Sequence, residues 1–297
     1  MTRPVFWLNG RILPATQAVL PLTDHGLLYG DGVFEGIRFY NHTPFRLQPH
    51  LQRLELSARA LMLDLPYSGE AMTAAVSEVV GAFGEADGYI RLVVTRGCGS
   101  LGLDPTHCER PNLFLIADRI SLAEAQQRQQ GIRLITASTR RPGPTVLDPR
   151  IKSLNYLNNI LGKLEARQAG ADEALLLNER GYVVEGTAEN VFIVRSGEVQ
   201  TPPVSDGALD GITRGVVLEL AREAGLEARE HSLTPYDVHT ADECFLCGTG
   251  AEQLPVRSVD GRMLPNCPGP LSRRLQRAFD SLIQSETMAT VAGVLPR

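Results

Sequence analysis

The hydrophobic pattern of the chain up to residue 117 alternates between strand-like and helix-like spacing. Residues 4–13 read as a hairpin, in which Asn9-Gly10 forms the turn between two apolar runs. A second hairpin is predicted over residues 33–47, because residues 33–40 have the β-branched and aromatic composition of a strand. The spacing of apolar residues predicts helices over 49–63 and 68–83, and strand patterns return at 89–95 and 112–117.

A polar, glutamine-rich segment, residues 118–130, interrupts this pattern and is typical of a linker between domains. Beyond it we expect a strand, a proline-glycine loop and a helix whose apolar stripe contains Leu154, Leu157, Leu161 and Leu164. The later pattern predicts strands at 173–177, 191–194 and 243–247, a helix at 210–223 and a loose tail beyond residue 283.

These elements predict an α/β (α+β) protein of two domains. The small amino-terminal domain covers residues 1–117, the linker covers 118–130, and the large carboxy-terminal domain covers 131–297 and includes Lys152.

Composition narrows the classes of function. The formal net charge of -5 and the pI of about 5.7 argue against a nucleic acid or an anionic membrane as partner, and favour small-molecule ligands. No apolar run approaches the roughly 18 residues of a membrane span, and the first residues do not resemble a secretory signal, so we expect a cytoplasmic protein. The five cysteines are scattered and odd in number, which predicts free thiols. Cys244 and Cys247 lie three apart on a predicted strand and point to opposite faces, so we expect no metal site.

Lysine is nearly absent from this chain. All but two of its 29 basic residues are arginine, and the two lysines are Lys152 and Lys163. Arginine replaces lysine on a solvated surface, but it does not deprotonate to form an imine. Lys152 lies on a loop that enters a helix, whereas Lys163 lies within that helix and off its apolar stripe. Most loop lysines are merely solvated, yet the depletion makes Lys152 a candidate for covalent chemistry.

Three other segments have candidate chemistry, each with a simpler explanation. Residues 185–190 place two carboxylates and an asparagine in a glycine-containing turn, which is also common on surfaces. Residues 211–213 open a helix, where free amide groups bind anions or serve only as a cap. Residues 248–250 follow a buried strand and present further backbone donors.

Six segments in this order resemble the class IV aminotransferases, over about residues 5–280. They are YGDGVFEGIR at 29–38, YIR at 89–91, KSLNY at 152–156, EGTAEN at 185–190, GITR at 211–214 and GTGAE at 248–252. The first two look most like branched-chain amino acid aminotransferases.

The resemblance implies a fold type IV enzyme that uses pyridoxal 5′-phosphate and forms a homodimer or a larger homo-oligomer. The implied reaction transfers an amino group from a branched-chain L-amino acid to 2-oxoglutarate, which gives a branched 2-oxo acid and L-glutamate. A carboxylate at the pyridine nitrogen makes this cofactor an electron sink.

The same resemblance implies roles for individual residues. Lys152 is the imine-forming catalytic residue. The implied cofactor contacts are Lys152 itself, Glu185 at the pyridine nitrogen, Tyr156 beside the phenolic oxygen, Leu209 against the ring, and Arg53, Ile212, Thr213 and Thr249 around the phosphate. The implied substrate contacts are Tyr29, Phe34, Arg38, Tyr89, Arg91, Thr249 and Gly250.

Three alternatives stay open. They are a D-amino acid or (R)-amine transaminase on the same scaffold, an aminodeoxychorismate lyase that uses the same lysine, and a non-catalytic protein that binds the vitamer. A transaminase needs a 2-oxo acid acceptor for turnover, a lyase does not, and a binding protein has no turnover. Branched-chain enzymes usually close the side-chain pocket with an aromatic residue in the interdomain loop, whereas residues 118–131 contain none.

Overall fold

A computed structural model describes residues 3–120 and 124–292 of the chain, which divides into two compact units. The first unit contains Met1–Ile120, Ile151–Asn155 and Ile283–Arg297, and the second contains Ser121–Arg150 and Tyr156–Leu282. Within the described residues, no helix has the length and apolar character needed to cross a membrane.

The first unit is built on an antiparallel sheet. Its six strands follow the order β2-β1-β6-β5-β3-β4. In chain order its elements are β1 Val5–Leu8, β2 Arg11–Leu13, α1 His25–Tyr29, β3 Gly32–Tyr40, β4 Thr43–Pro44, α2 Leu47–Ala60, α3 Gly69–Phe83, β5 Gly88–Thr95 and β6 Asn112–Asp118.

Local sequence explains most of these boundaries. The first predicted hairpin is confirmed, with Asn9 and Gly10 both at positive φ in the turn between β1 and β2. Ser68 caps the start of α3 by accepting a hydrogen bond from the Ala71 amide, and Gly84 ends that helix in the left-handed conformation. The second hairpin is shorter than predicted, because β4 is Thr43–Pro44 and α2 already begins at Leu47.

The core of the first unit lies between its sheet and the helices α2 and α3. Alternate residues of β3 and β5 face this core, and Leu51 and Leu54 of α2 pack against them. The buried apolar residues include Val33, Ile37, Phe39, Leu51, Leu54, Val76, Val79, Ile90, Leu92 and Val94.

The structure differs from the predicted division at the segment that contains Lys152. Lys152 was placed in the second domain, but Ile151–Asn155 belongs to the first unit. Its backbone runs along the edge of β3: the Phe34 amide donates to the Lys152 carbonyl, and the Leu154 amide donates to the Gly32 carbonyl, each at 3.0 Å. The prediction failed because this pairing joins residues more than a hundred positions apart. The chain from Ile283 onward is likewise part of the first unit.

The second unit is built on a nine-stranded mixed sheet. Its main path is β12-β11-β10-β13-β14-β7-β8-β9, with β15 paired to β14. Its elements are α4 Ala125–Gln130, β7 Ile132–Arg140, α5 Leu157–Gln168, β8 Glu173–Leu177, β9 Val183–Glu185, β10 Asn190–Arg195, β11 Glu198–Thr201, α6 Ile212–Glu223, β12 Ala228–Glu230, α7 Pro235–His239, β13 Glu243–Gly248, β14 Glu252–Val259, β15 Arg262–Met263 and α8 Pro270–Ala292, whose last part lies in the first unit.

Two sequence predictions need correction here. The presumed linker, residues 118–130, contains the end of β6 and the whole of α4, and its residues 121–123 lie outside the described part. The helix α8 continues to Ala292 where a loose tail was expected.

The leucine stripe of α5 also faces solvent and not the core, which is the opposite of the prediction. Leu157, Leu161 and Leu164 are exposed, and the buried face contains Asn159 and Gly162. A Cβ at position 162 would lie 2.8 Å from the side chain of Leu176. The close packing of this helix on β8 therefore requires its small residues, and not its leucines, to face the sheet.

Candidate active site

One face of the first unit's sheet presents aromatic and basic side chains. Phe34 and Arg38 of β3 lie opposite Val93 and Tyr89 of β5 in the register, so all four share the face turned away from α2 and α3. The Arg91 guanidinium lies 4.5 Å from the centroid of the Phe34 ring and 5.7 Å from that of Tyr89.

Gly36 makes this arrangement sterically feasible. A Cβ at position 36 would lie 2.1 Å from the Tyr89 hydroxyl, so only glycine lets the tyrosine ring cross β3. Phe34, Arg38, Tyr89 and Arg91 are thus brought together on one surface.

Lys152 lies at the edge of that surface. Its backbone amide donates to the Ser57 hydroxyl of α2 at 3.1 Å, and its Nζ lies 4.5 Å from the centroid of the Phe34 ring. The ammonium group is therefore placed against an aromatic face and is half-buried.

Arg53, the predicted phosphate ligand, is part of a buried charged cluster on the helix side of β3. Its guanidinium binds both carboxylate oxygens of Glu35, and His50 Nδ1 lies 2.7 Å from Glu35 Oε2. Burial by itself raises the pKa of Glu35, but Arg53 and His50 outweigh it and lower the pKa to about 2. Burial lowers the pKa of His50, and the charges of Arg53 and Lys152 lower it further, against the effect of Glu35. The cluster therefore contains one ion pair with a fixed geometry, between Arg53 and Glu35.

Tyr29 is the last residue of α1, and the segment that follows β5 forms a hydrogen bond with it. Its hydroxyl accepts a hydrogen bond from the Gly102 amide at 2.9 Å, and its ring packs edge-on against His25 at 4.9 Å between centroids. The structure thus assigns Tyr29 a structural contact that the sequence did not indicate.

In the second unit, Glu185 is a buried carboxylate at the end of β9. Its Oε1 lies 2.8 Å from Arg141 Nη2, and its Oε2 accepts from the Leu209 amide at 3.0 Å and from Asn190 Nδ2 at 3.3 Å. Asn190 Nδ2 also donates to the Leu209 carbonyl at 3.0 Å. Glu185 and Leu209, both predicted cofactor contacts, are therefore neighbours.

Arg141 and Asn159, which sequence reasoning missed, complete this network. Arg141 Nη1 donates to Asn159 Oδ1 at 2.7 Å, and Asn159 Nδ2 donates to the Thr187 carbonyl at 2.6 Å. Both side chains are buried. No signal in the sequence marks either residue, because Asn159 lies off the predicted leucine stripe of α5 and Arg141 is one arginine among many.

The helix α6 begins beside this network and offers its amino terminus. Its N-cap is Gly211, without a side-chain hydrogen bond, and Ile212 and Thr213 are the first helical residues. A Cβ at position 211 would lie 2.0 Å from Asn190 Oδ1, which explains the glycine. The unbonded amides at such a helix start bind anions. Arg214 is buried and binds the Pro202 carbonyl and Glu230, so its role is structural.

The turn with Thr249 and Gly250 connects β13 to β14 and lies beside the 185–190 segment. A Cβ at Gly248 would lie 3.4 Å from the Ala188 carbonyl and 3.5 Å from the Glu189 side chain. Burial, followed by the charge of Glu173, raises the pKa of Glu189 to about 7. Tyr156, the remaining predicted contact, is half-buried at the start of α5.

Lys163 has a structural role. Its Nζ lies 2.6 Å from Glu173 Oε2 and donates to the Asp172 carbonyl at 2.8 Å. Glu173 is buried, so Lys163 supplies the charge that balances it. An ammonium held in this way is not poised to attack a carbonyl.

Each unit by itself contains groups of the kind that a phosphorylated pyridine aldehyde requires. The first unit contains the Lys152 amine, which suits an aldehyde, and the second contains the amides at the start of α6, which suit a phosphate. Glu185 has about four lone-pair sites, and its hydrogen bonds to Arg141, Leu209 and Asn190 use three of them. One acceptor site therefore remains for a ring N–H.

Comparisons with known proteins give a consistent result. The family model for amino-transferase class IV matches residues 32–259. A putative branched-chain-amino-acid aminotransferase of Methanocaldococcus jannaschii is 48% identical over 277 residues, which are 93% of this chain and 95% of that protein. A D-alanine aminotransferase of Bacillus licheniformis is 37% identical over 284 residues, covering 95% of this chain and 98% of that protein.

A solved structure is similar over almost the same extent. It is the crystal structure of the branched-chain amino acid aminotransferase from Thermobaculum terrenum in its PLP-form, the holo-form. Its TM-score is 0.87 at 34% identity, and the match covers 95% of this chain and 95% of that chain.

Proposed function

Because this chain belongs to the class IV aminotransferases, a family dependent on pyridoxal phosphate, we propose that it transfers the amino group of a branched-chain L-amino acid to 2-oxoglutarate. The products are a branched 2-oxo acid and L-glutamate. The names of the Methanocaldococcus jannaschii and Thermobaculum terrenum proteins support this substrate class. The resemblance predicted from the six sequence segments is thereby confirmed at the level of the family.

The contrast between the two lysines is the observation that carries the proposal. Lys163 is held by Glu173 and by a backbone carbonyl, whereas Lys152 Nζ lies against the Phe34 ring. In a chain with only these two lysines, an imine-forming enzyme has one suitable amine. We assign Lys152 to the covalent attachment of the cofactor and, once it is released, to moving the Cα proton of the donor.

Glu185 and Arg141 form the ion pair that we assign to the pyridine nitrogen of the cofactor. When bound, pyridoxal phosphate supplies the electron sink that makes the donor's Cα proton acidic. Arg141 pairs with Glu185 and orients it, so that Glu185 can accept a hydrogen bond from a protonated pyridine nitrogen. The Leu209 amide donates to Glu185, which supports the proposed contact of Leu209 with the ring.

The phosphate group of the cofactor is assigned to backbone amides, two hydroxyl groups and one arginine. The proposed ligands are the backbone amides of Ile212 and Thr213, the Thr213 and Thr249 hydroxyls, and Arg53. Tyr156 is assigned to the phenolic oxygen of the cofactor.

The first unit's aromatic and basic surface is assigned to the substrate. Phe34 and Tyr89 offer apolar walls to an aliphatic side chain, and Arg38 and Arg91 offer guanidinium groups to the carboxylates of 2-oxoglutarate. We also keep Tyr29, Thr249 and Gly250 as proposed substrate contacts.

We further propose a homodimer or a larger homo-oligomer in the cytoplasm. Leu22, Leu101 and Leu103 of the first unit are each about four-fifths exposed, which is unfavourable in water without a covering partner. All five cysteines are unpaired, which fits a reducing compartment. Light scattering coupled to size exclusion measures the assembly.

A panel of amino donors tests the reaction. We expect L-leucine, L-isoleucine and L-valine, with 2-oxoglutarate as acceptor, to react faster than every D-amino acid in matched steady-state assays. A preference for a D-amino acid would instead support the activity named for the Bacillus licheniformis relative and would overturn the donor assignment. Turnover without any 2-oxo acid would indicate a lyase.

A further inference from the structure

The second unit contains a cavity of about 540 Å³ that the proposed reaction does not use. Its walls come from α4, from β13 and β14, and from the first turns of α8. The apolar part includes Phe245, Pro255 and Pro268. Phe245 and Pro255 are register partners on the same face of the sheet. The volume is in the range that holds small-molecule ligands.

A buried amide in the wall of this cavity has no hydrogen-bond partner among the described residues. Gln253 is only 5% exposed, and within the described residues neither its Nε2 nor its Oε1 makes a hydrogen bond. It lies two residues before Pro255 on β14, so both side chains are on the cavity face. A buried polar group without a hydrogen bond is unfavourable for the folded protein. A ligand with one acceptor and one donor satisfies both atoms.

The charge on the cavity wall favours an anion. Arg128, Arg273 and Arg277 line the cavity, and Glu252 is the one acidic side chain in its wall. Arg128 is engaged, because its Nη1 donates to the Ala251 carbonyl at 3.0 Å and lies 3.5 Å from Glu252. The exposed guanidinium groups of Arg273 and Arg277 have no ion pair with another described residue. They lie four residues apart on α8 and so project from the same side of the helix.

From these three features, we propose that the cavity binds a small amphipathic carboxylate. Its carboxylate pairs with Arg273 and Arg277, its apolar ring or chain packs on Phe245 and Pro255, and an amide-like group pairs with Gln253. The cavity lining contains none of the residues assigned to transamination, so the test of this site does not depend on the proposed function.

Calorimetric titration of the holoenzyme with 4-carbamoylbenzoate tests this site, because this probe has a carboxylate, a ring and a primary amide. We expect saturable binding with one site per chain. Gln253→Met and the double variant Arg273→Gln/Arg277→Gln should each weaken the affinity about tenfold or more, and benzamide, which lacks the carboxylate, should bind similarly weakly to wild type. Arg274→Gln is the matched control, because Arg274 lies on the same helix but donates to the Ala224 carbonyl.

Stability measurements separate a ligand site from a structural role. Gln253→Met removes an unpaired buried amide, so the unliganded variant should melt at the same temperature as wild type or higher. A lower melting temperature would mean that the amide has structural partners, and this would overturn the proposal. No saturable binding by wild type, or an equal affinity in the Gln253→Met and Arg274→Gln variants, would overturn it as well.

Discussion

Arg53 binds Glu35 through both carboxylate oxygens, with Nε 2.7 Å from Oε1 and Nη2 2.8 Å from Oε2. The residue proposed to bind the cofactor phosphate is therefore also the counter-ion of a fully buried carboxylate. Its position is fixed before any ligand arrives, since a bidentate pair holds the plane of the guanidinium. On the proposed assignment of Arg53, phosphate binding and folding are therefore coupled at this one side chain.

This coupling predicts two separable effects of Arg53→Ala. Cofactor retention after dialysis should fall, and the free energy of unfolding of the apo form should fall by about 3–5 kcal/mol, because Glu35 is left buried and unpaired. In Arg53→Ala/Glu35→Gln the stranded charge is removed, so urea denaturation should show recovered stability while retention stays low. If the double variant retains as much cofactor as wild type, Arg53 is not a phosphate ligand.

A second prediction concerns the dependence of stability on pH. The folded state raises the pKa of Glu189 from 4.5 to about 7, so the folded protein binds more protons than the unfolded chain between these values. Stability from this group is fully present below pH 4.5 and is lost as pH rises to about 7.

Glu189→Gln should therefore raise the free energy of unfolding at pH 8 by roughly 1–3 kcal/mol and flatten its decline across that window. Glu179→Gln is the control, because Glu179 is exposed. Denaturation curves at several pH values provide the comparison. An unchanged slope in Glu189→Gln would show that this carboxyl is ionised in the folded protein.

A third prediction addresses the carboxylate at the proposed pyridine contact. Glu185→Gln keeps the shape but removes the charge, so the first half-reaction should slow by about two orders of magnitude or more. Single-turnover absorbance measurements with L-leucine give this rate. Activity equal to that of wild type would remove Glu185 from the proposed role.

Features of the fold that depend on neighbouring residues could be predicted from the sequence. The Asn9-Gly10 turn and the helix predicted over residues 68–83 depend only on neighbouring residues, and both were confirmed. Long-range contacts were not predictable. Lys152 was assigned to the wrong unit because its segment pairs with β3, and Arg141 was missed because its partner Glu185 is distant in sequence.

The orientation of α5 shows a different limit of sequence reasoning. Leucines at helical spacing usually mark the buried face, but here Gly162 allows such close packing on Leu176 that the leucines are turned outward. Periodicity located the helix correctly and chose the wrong face. The proposed residues of the active site were found mainly by family resemblance, because six short motifs carry more information than any single spacing.

The last prediction is that Lys152, and not Lys163, bonds the cofactor. Lys152→Arg should fold and be inactive, because arginine keeps the charge but stays protonated, so it neither attacks an aldehyde nor moves the Cα proton. Lys163→Arg should stay active, since a guanidinium can still pair with Glu173 and so neutralise that buried carboxylate. Borohydride reduction of the holoenzyme followed by peptide mapping identifies the modified residue directly. An adduct on Lys163, or on neither lysine, would contradict the proposed mechanism. A melting temperature of Lys152→Arg close to that of wild type apoenzyme ensures that lost activity reflects lost chemistry and not unfolding.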